Sequence, residues 1–262
     1  MTEQYILKSS EVEKKTGAIY DHLFTAYSRQ QFDDSVDLFF KRHKMWGIDL
    51  AWFKDQVCLD AGCGGGRFVT ALACSGAKKV YGIDVSKQAV EVARERTKER
   101  GLLNTEIIQA SVLEIPFPDK MFGYVVCSGV ILLTPDPRRA FNELVRVLKP
   151  GGRLFLSVYG KGGLKWFTND IFRHTICKII PFSMMEKIFA FSGVPANKRY
   201  NILDNLYTPY TKRFTEKEIR QWLTDAGFQN LRRVKFERYD YETLRSRIIH
   251  GEGWIQMYAD KR

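Results

Sequence analysis

The 262-residue chain is predicted to fold as an α/β domain built on a doubly wound parallel sheet, with helices on both faces. Three observations carry that expectation. From Gln56 to Gly160, short apolar strands alternate with amphipathic helices at the spacing of successive strand–helix–strand units. A glycine-rich turn, Gly62-Cys63-Gly64-Gly65-Gly66, joins the first strand directly to a helix. The length exceeds one average domain and falls short of two, and 45% hydrophobic with 27% charged residues is ordinary globular composition.

Taken in order, residues 17–45 read as two short amphipathic helices. Tyr20, Phe24 and Tyr27 share the first apolar stripe, and Val36, Phe39 and Phe40 the second. Val57-Cys58-Leu59 is a buried strand, and Arg67 to Cys74 is helical after the glycine turn. Lys79 to Asp84 forms the second strand. Ser86 caps a helix from Lys87 that carries Ala89, Val90 and Ala93 on its inner face and stops at Gly101. Glu106 to Gln109 and Tyr124 to Cys127 are the third and fourth strands. Asp136-Pro137 opens a helix with proline at its first position, and Lys149-Pro150-Gly151-Gly152 closes it. Leu154 to Val158 is the fifth strand.

Regularity lapses between Gly160 and Lys212, apart from a helix expected over Lys165 to Ile180. It resumes at Thr215, which with Glu218 makes a capping box for a helix burying Ile219, Trp222, Leu223 and Ala226 and ending at Gly227. Val234, Phe236 and Arg238 alternate as a strand, as do Ile255, Met257 and Ala259. Residues 1–262 are thus expected to form one domain, divided into 1–47, 48–160, 161–212 and 213–262.

Net charge is +11, and it is uneven: residues 1–160 hold 22 Lys/Arg against 19 Asp/Glu, whereas residues 161–262 hold 19 against 11. The basic C-terminal portion suits nucleic acid, an anionic small molecule, a lipid head group, or simple solvation. The five cysteines are odd in number and form no CxxC pair, which argues against a disulfide framework or a metal site. No membrane span is expected, because the most apolar stretch, Ile176 to Phe191, is broken by Lys178, Pro181, Glu186 and Lys187. The first ten residues carry an early acid and no apolar run, so they do not read as a secretory signal, and the expected compartment is the cytoplasm.

The chemistry concentrates in Val57 to Arg67. Glycines there permit positive φ and close backbone approach, and the turn feeds a helix N-terminus. Arg67 stands where a dinucleotide fingerprint needs glycine, and Asp60 would repel a pyrophosphate while accepting hydrogen bonds from an ammonium group. Asp84, at the tip of the second strand, can accept from both hydroxyls of a ribose. An amino-acid end beside Asp60 and a ribose beside Asp84 describe S-adenosylmethionine rather than NAD.

These residues resemble the class I S-adenosylmethionine-dependent methyltransferases. Asp60-Ala61-Gly62-Cys63-Gly64 is similar to that family's first motif, and Gly82-Ile83-Asp84-Val85-Ser86 to its second-strand acid. Ile115 to Phe117 with Phe122 to Val126, and Leu148 to Gly152, resemble the segments before the fourth and fifth strands. The resemblance spans about residues 56–160 and extends to Asp225-Ala226-Gly227-Phe228. It implies a Rossmann-like sheet of seven strands with the last antiparallel, residues 1–47 as a helical lid, and 161–212 as a cap after strand five. By the same resemblance, Asp60, Ala61, Gly62 and Gly64 hold the methionine part, and Asp84 and Val85 the ribose. Ser111 and Val112 border the adenine, and Ser128 and Gly129 close the pocket floor.

Two departures matter. Relatives often carry an acid where Ser111 stands, and a histidine where this chain has Leu132 and Leu133, which removes the simplest base. Tyr159, His174, Tyr207 and Tyr210 can replace it or can be packing residues, so no catalytic residue is assigned. Trp166, Phe167, Phe172, Phe182, Phe189 and Phe191, among Lys161, Lys165, Arg173 and Lys178, suggest either an apolar pocket with a cationic rim or a cap with a small core of its own. The leading reading is a methyltransferase for a small, aromatic or lipid-like acceptor. A tRNA-modifying enzyme of the wobble-uridine type, and a non-catalytic cofactor sensor or inactive partner subunit, are the alternatives.

Overall fold

Alternating burial along the central strands sends neighbouring residues into two separate cores, and that division organises the molecule. A computed structural model describes residues 3–25, 27–235 and 243–262. Two helices come first, α1 (Glu3–Thr25) and α2 (Arg29–Met45). The repeating units follow: β1 (Val57–Ala61), α3 (Arg67–Cys74), β2 (Lys79–Asp84), α4 (Lys87–Glu99), β3 (Thr105–Gln109), β4 (Phe122–Ser128), α5 (Pro137–Val147) and β5 (Leu148–Tyr159). Then come α6 (Leu164–His174), α7 (Ile176–Ile179), α8 (Phe182–Phe191) and α9 (Ala196–Tyr207). The chain closes with α10 (Glu216–Asp225), β6 (Phe228–Arg233), α11 (Leu244–His250) and β7 (Trp254–Lys261).

The sheet order is β3-β2-β1-β4-β5-β7-β6, and β7 runs antiparallel to both of its neighbours. The seven-stranded sheet with an antiparallel last strand is therefore present. Leu59, Val125, Leu154 and Met257 face one core with Phe141 and Leu144 of α5 and Ile219 and Leu223 of α10. Cys58, Tyr124, Phe155 and Tyr258 face the other with Phe39 of α2, Leu72 of α3 and Val90 of α4. The order reverses between β1 and β4, so a crevice opens at the carboxyl ends of these strands.

Several boundaries differ from expectation. The first helix starts at Glu3, well before residue 17, and its inward stripe includes polar and small residues that an apolar pattern does not reveal. β5 begins at Leu148, so the Lys149–Gly152 turn lies within the strand, where pairing with β4 shifts register. The 161–212 segment is not irregular but holds four helices; the helix expected over Lys165–Ile180 breaks at Thr175, whose φ of −115° and ψ of −82° end α6. Periodicity failed there because α6 turns Leu164, Phe167 and Ile171 outward while burying Trp166. The strand expected at Val234 to Arg238 lies upstream at Phe228–Arg233. Val234 still donates its N–H to Gln256 O, whereas Phe236 and Arg238 fall outside the described residues.

Candidate active site

The glycine turn is held by backbone bonds that only a close approach permits. The N–H groups of Gly62 and Cys63 both donate to Ile83 O, at 2.8 and 2.9 Å, which pins the turn to the end of β2. Gly62 has φ +86°, and a Cβ there would lie 2.2 Å from a γ-methyl of Val130. Asp84 joins the two loops: its Oδ2 accepts from Gly64 N at 2.8 Å and its Oδ1 from Ser86 N at 2.9 Å. Burial raises the Asp84 carboxyl above its usual range, and these two N–H donors oppose the rise. Each oxygen keeps a lone pair for a further donor.

Asp60 lies behind the turn, only 1% exposed. Burial pushes its carboxyl up to about 7, against the pull of the Arg67 guanidinium, and Oδ2 has no hydrogen-bond partner among the described residues. A buried carboxylate oxygen left over in this way is suited to an incoming cation.

Helix α1 crosses above the strand tips. Glu13, Thr16, Gly17, Tyr20 and Phe24, spaced three and four apart, form one stripe that faces Gly62, Asp84, Val85, Val112, Ser128 and Gly129. Between them lies a cavity of about 110 Å³, also lined by Val130, Leu133 and Thr134. Thr16 Oγ1 is buried there with no hydrogen-bond partner among the described residues. The Phe24 ring covers Gly64, where an added Cβ would meet Cζ at 2.2 Å. Two further bonds fasten the helix, from the Ser111 hydroxyl to Glu13 and from the Ser86 hydroxyl to Asp21. At its C-terminal end, Arg96 donates to Phe24 O at 3.1 Å and to Gly65 O at 3.1 Å, joining helix and turn through one guanidinium.

Six of the ten expected site residues therefore meet in one cavity. Asp60, Ala61 and Gly64 support it from behind or beside, and Ser111 opens onto a neighbouring hollow with Glu13 and Lys14. Sequence reasoning missed Glu13 and Thr16, although extending the Tyr20–Phe24 stripe one helical turn backwards reaches Thr16 and two turns reach Glu13. It also missed Asp204 of α9. That carboxyl is 8% exposed, pushed up to about 7 by burial, and accepts from Tyr20 Oη at 3.4 Å.

The other candidates for a base are engaged elsewhere. Tyr159 is packed between Trp166 and Trp254, with burial raising its phenol. His174 is exposed, with Nδ1 on Asp170 O, and Tyr207 donates to Ile180 O. Tyr210 is half-buried outside the residues lining the cavity. The aromatic pocket expected of 161–212 is not assembled: Trp166 is buried beneath the Arg213 guanidinium, but Phe167, Phe172 and Phe191 face outward. All five cysteines are free, and no cluster able to hold a metal occurs among the described residues.

Comparison with known proteins agrees with this geometry. A family profile described as a methyltransferase domain matches residues 59–156. A demethylmenaquinone methyltransferase from Listeria welshimeri is 30% identical over 232 residues, covering 85% of this chain and 91% of its own. One of the same name from a Geobacillus strain is 29% identical, covering 84% and 90%. Among solved structures, the YcgJ protein of Bacillus subtilis superposes with a TM-score of 0.57 at 17% identity, over 88% of this chain and 99% of that one. A SAM-dependent methyltransferase from Aquifex aeolicus gives 0.52 at 20% identity, over 84% and 89%. The strand order, the glycine turn clamped by Asp84 and these matches agree that the chain belongs to the class I S-adenosylmethionine-dependent methyltransferases.

Proposed function

We propose that this enzyme transfers a methyl group from S-adenosylmethionine to a quinone-like, lipid-soluble aromatic acceptor bound beneath α1. The observation that carries the reading is the cavity between the Asp84 strand tip and the Tyr20–Asp204 pair, in a chain similar over most of its length to demethylmenaquinone methyltransferases. When bound, the cofactor supplies an electrophilic methyl group on sulfur. Asp84 orients the ribose with its remaining lone pairs, and Asp60 Oδ2 and the turn face the amino-acid end. Glu13 brings to Ser111 the carboxylate that this position lacks, and so serves the adenine amine.

Helix α1 acts as a lid. The cavity of about 110 Å³ adjoins a more open hollow of about 650 Å³ that shares Glu13, Gly17, Val85 and Ala110 with it; sites for ligands of this size hold roughly 300–1,000 Å³, and an outward swing of α1 joins the two spaces. Arg96 is the anchor of that movement. A ring carbon becomes a strong nucleophile when a neighbouring hydroxyl loses its proton. Tyr20 Oη takes that proton as it passes its own to Asp204 Oδ2, which must be ionised to receive it. Enclosure by α1 and α9 excludes water and fixes the acceptor, which provides much of the rate.

The test is methyl transfer from labelled cofactor to a demethylated naphthoquinone in detergent, with bulk tRNA in parallel. Label in the quinone, abolished by Asp84→Ala together with at least a tenfold loss of cofactor affinity, is the expected result. Label in tRNA alone overturns the acceptor, and unchanged cofactor binding in Asp84→Ala overturns the ribose assignment.

A further inference from the structure

Apolar side chains on the surface of this protein are not scattered. Of thirteen large hydrophobic residues that are more than a third exposed among those described, eleven lie between Leu164 and Ile248. On α6, Leu164, Phe167 and Ile171 are spaced three and four apart and form one outward stripe, opposite the buried Trp166. On α8, Met184, Ile188 and Phe191 are spaced four and three apart and exposed, Phe191 to 96%, while Met185 at the edge of that stripe is buried. Both helices pack on α9, so their outward stripes belong to the same cap. Apolar exposure concentrated in one segment in this way points to a docking face rather than ordinary scattered exposure.

Charge identifies the occupant. Residues 161–212 hold eight Lys/Arg against three Asp/Glu. Those three acids are neutralised or hidden: Asp170 pairs with Arg213, Glu186 pairs with Arg199, and Asp204 is buried beside Tyr20. Lys165, Lys178 and Lys187 are exposed on or beside the same helices as the apolar stripes. Protein–protein interfaces are depleted in lysine. An apolar stripe flanked by lysines, whose stems lie along it while their heads reach phosphate, is the pattern of a helix lying in a bilayer surface. We propose that the outer face of α6 and α8 docks the enzyme onto an anionic lipid bilayer. No described helix is long and apolar enough to cross a membrane, so the attachment is peripheral.

The purified full chain, mixed with vesicles of phosphatidylcholine alone or with roughly one third phosphatidylglycerol, tests this by co-sedimentation at low and high salt. The expected result is binding to the anionic vesicles that weakens with salt. Lys178→Ala and Lys187→Ala each lower the affinity about fivefold, and Phe167→Glu with Phe191→Glu lowers it more than about tenfold. These side chains are exposed, so cofactor affinity stays unchanged and reports an intact fold. Indifference of the wild type to both vesicle types overturns the proposal. So does light scattering that shows a dimer which Phe191→Glu dissociates, because the face is then covered by a second copy. The vesicles contain no quinone, so failure of the acceptor assignment leaves this result standing, and the reverse holds too.

Discussion

Gly62→Ala tests whether the turn is built on close approach. Gly62 has φ +86°, and the added Cβ would lie 2.2 and 2.7 Å from the two γ-methyls of Val130 and 3.0 Å from its Cβ. Left-handed backbone costs a non-glycine residue about 1–2 kcal/mol. Overpacking against Val130 adds about 1–3 kcal/mol, giving a total of ~2–5 kcal/mol against a stability of about 5–15 kcal/mol. Val130→Ala alone, which removes two half-buried methyls, should cost about 1 kcal/mol. In the double variant the methyls that clash are gone, so the crowding is relieved while the backbone strain remains. Urea unfolding of the four proteins should yield a favourable coupling of about 1–3 kcal/mol. Calorimetric titration should show cofactor affinity down more than about tenfold in Gly62→Ala, partly restored in the double variant. Effects that add to within ~0.5 kcal/mol would refute the reasoning, because they would show that the two residues do not meet.

Two further outcomes concern buried acids. The carboxyls of Asp60 and Asp204 are raised by burial to about 7, so between pH 4 and 7 the folded protein holds protons that the unfolded chain has released, and stability falls as pH rises through that window. The rise at Asp60 represents on the order of 4 kcal/mol; Asp60→Asn should match the wild type at about pH 4 and exceed it increasingly up to and above pH 7 in thermal melts, and a parallel pH profile would contradict the burial argument. If Asp204 receives the acceptor proton through Tyr20, single-turnover methyl transfer should rise with pH through about 7 in the wild type. Asp204→Asn and Tyr20→Phe should each flatten that limb and slow transfer by roughly 10²–10⁴-fold with little change in cofactor affinity. A retained limb in both would assign the proton elsewhere.

Local chemistry determined the first half of the site. The glycine turn, Asp84 and the Ser86 cap are encoded within about thirty residues whose conformations follow from positive φ, strand tips and helix starts, and each lies where the sequence pattern placed it. The doubly wound parallel sheet was equally legible, because strands alternating with helices leave few right-handed arrangements, whereas the order β3-β2-β1-β4-β5-β7-β6 is read from the structure. The cap was not. Its helices expose apolar stripes, so the usual rule that apolar means inward misread Phe167, Phe172 and Phe191 as pocket walls.

Only the tertiary structure could decide what meets what across the crevice. Tyr20 and Asp204 are 184 residues apart in the chain, and Glu13 and Ser111 are 98 apart. No periodicity records such pairs, because each residue satisfies its own helix or turn without the other. They are selected by how α1 packs against α4 and α9, and it is that packing which covers the strand tips and buries Asp204. The sequence by itself determined a cofactor-binding strand tip; the packing of distant helices over it decided the shape of the cavity and which acids lost their water.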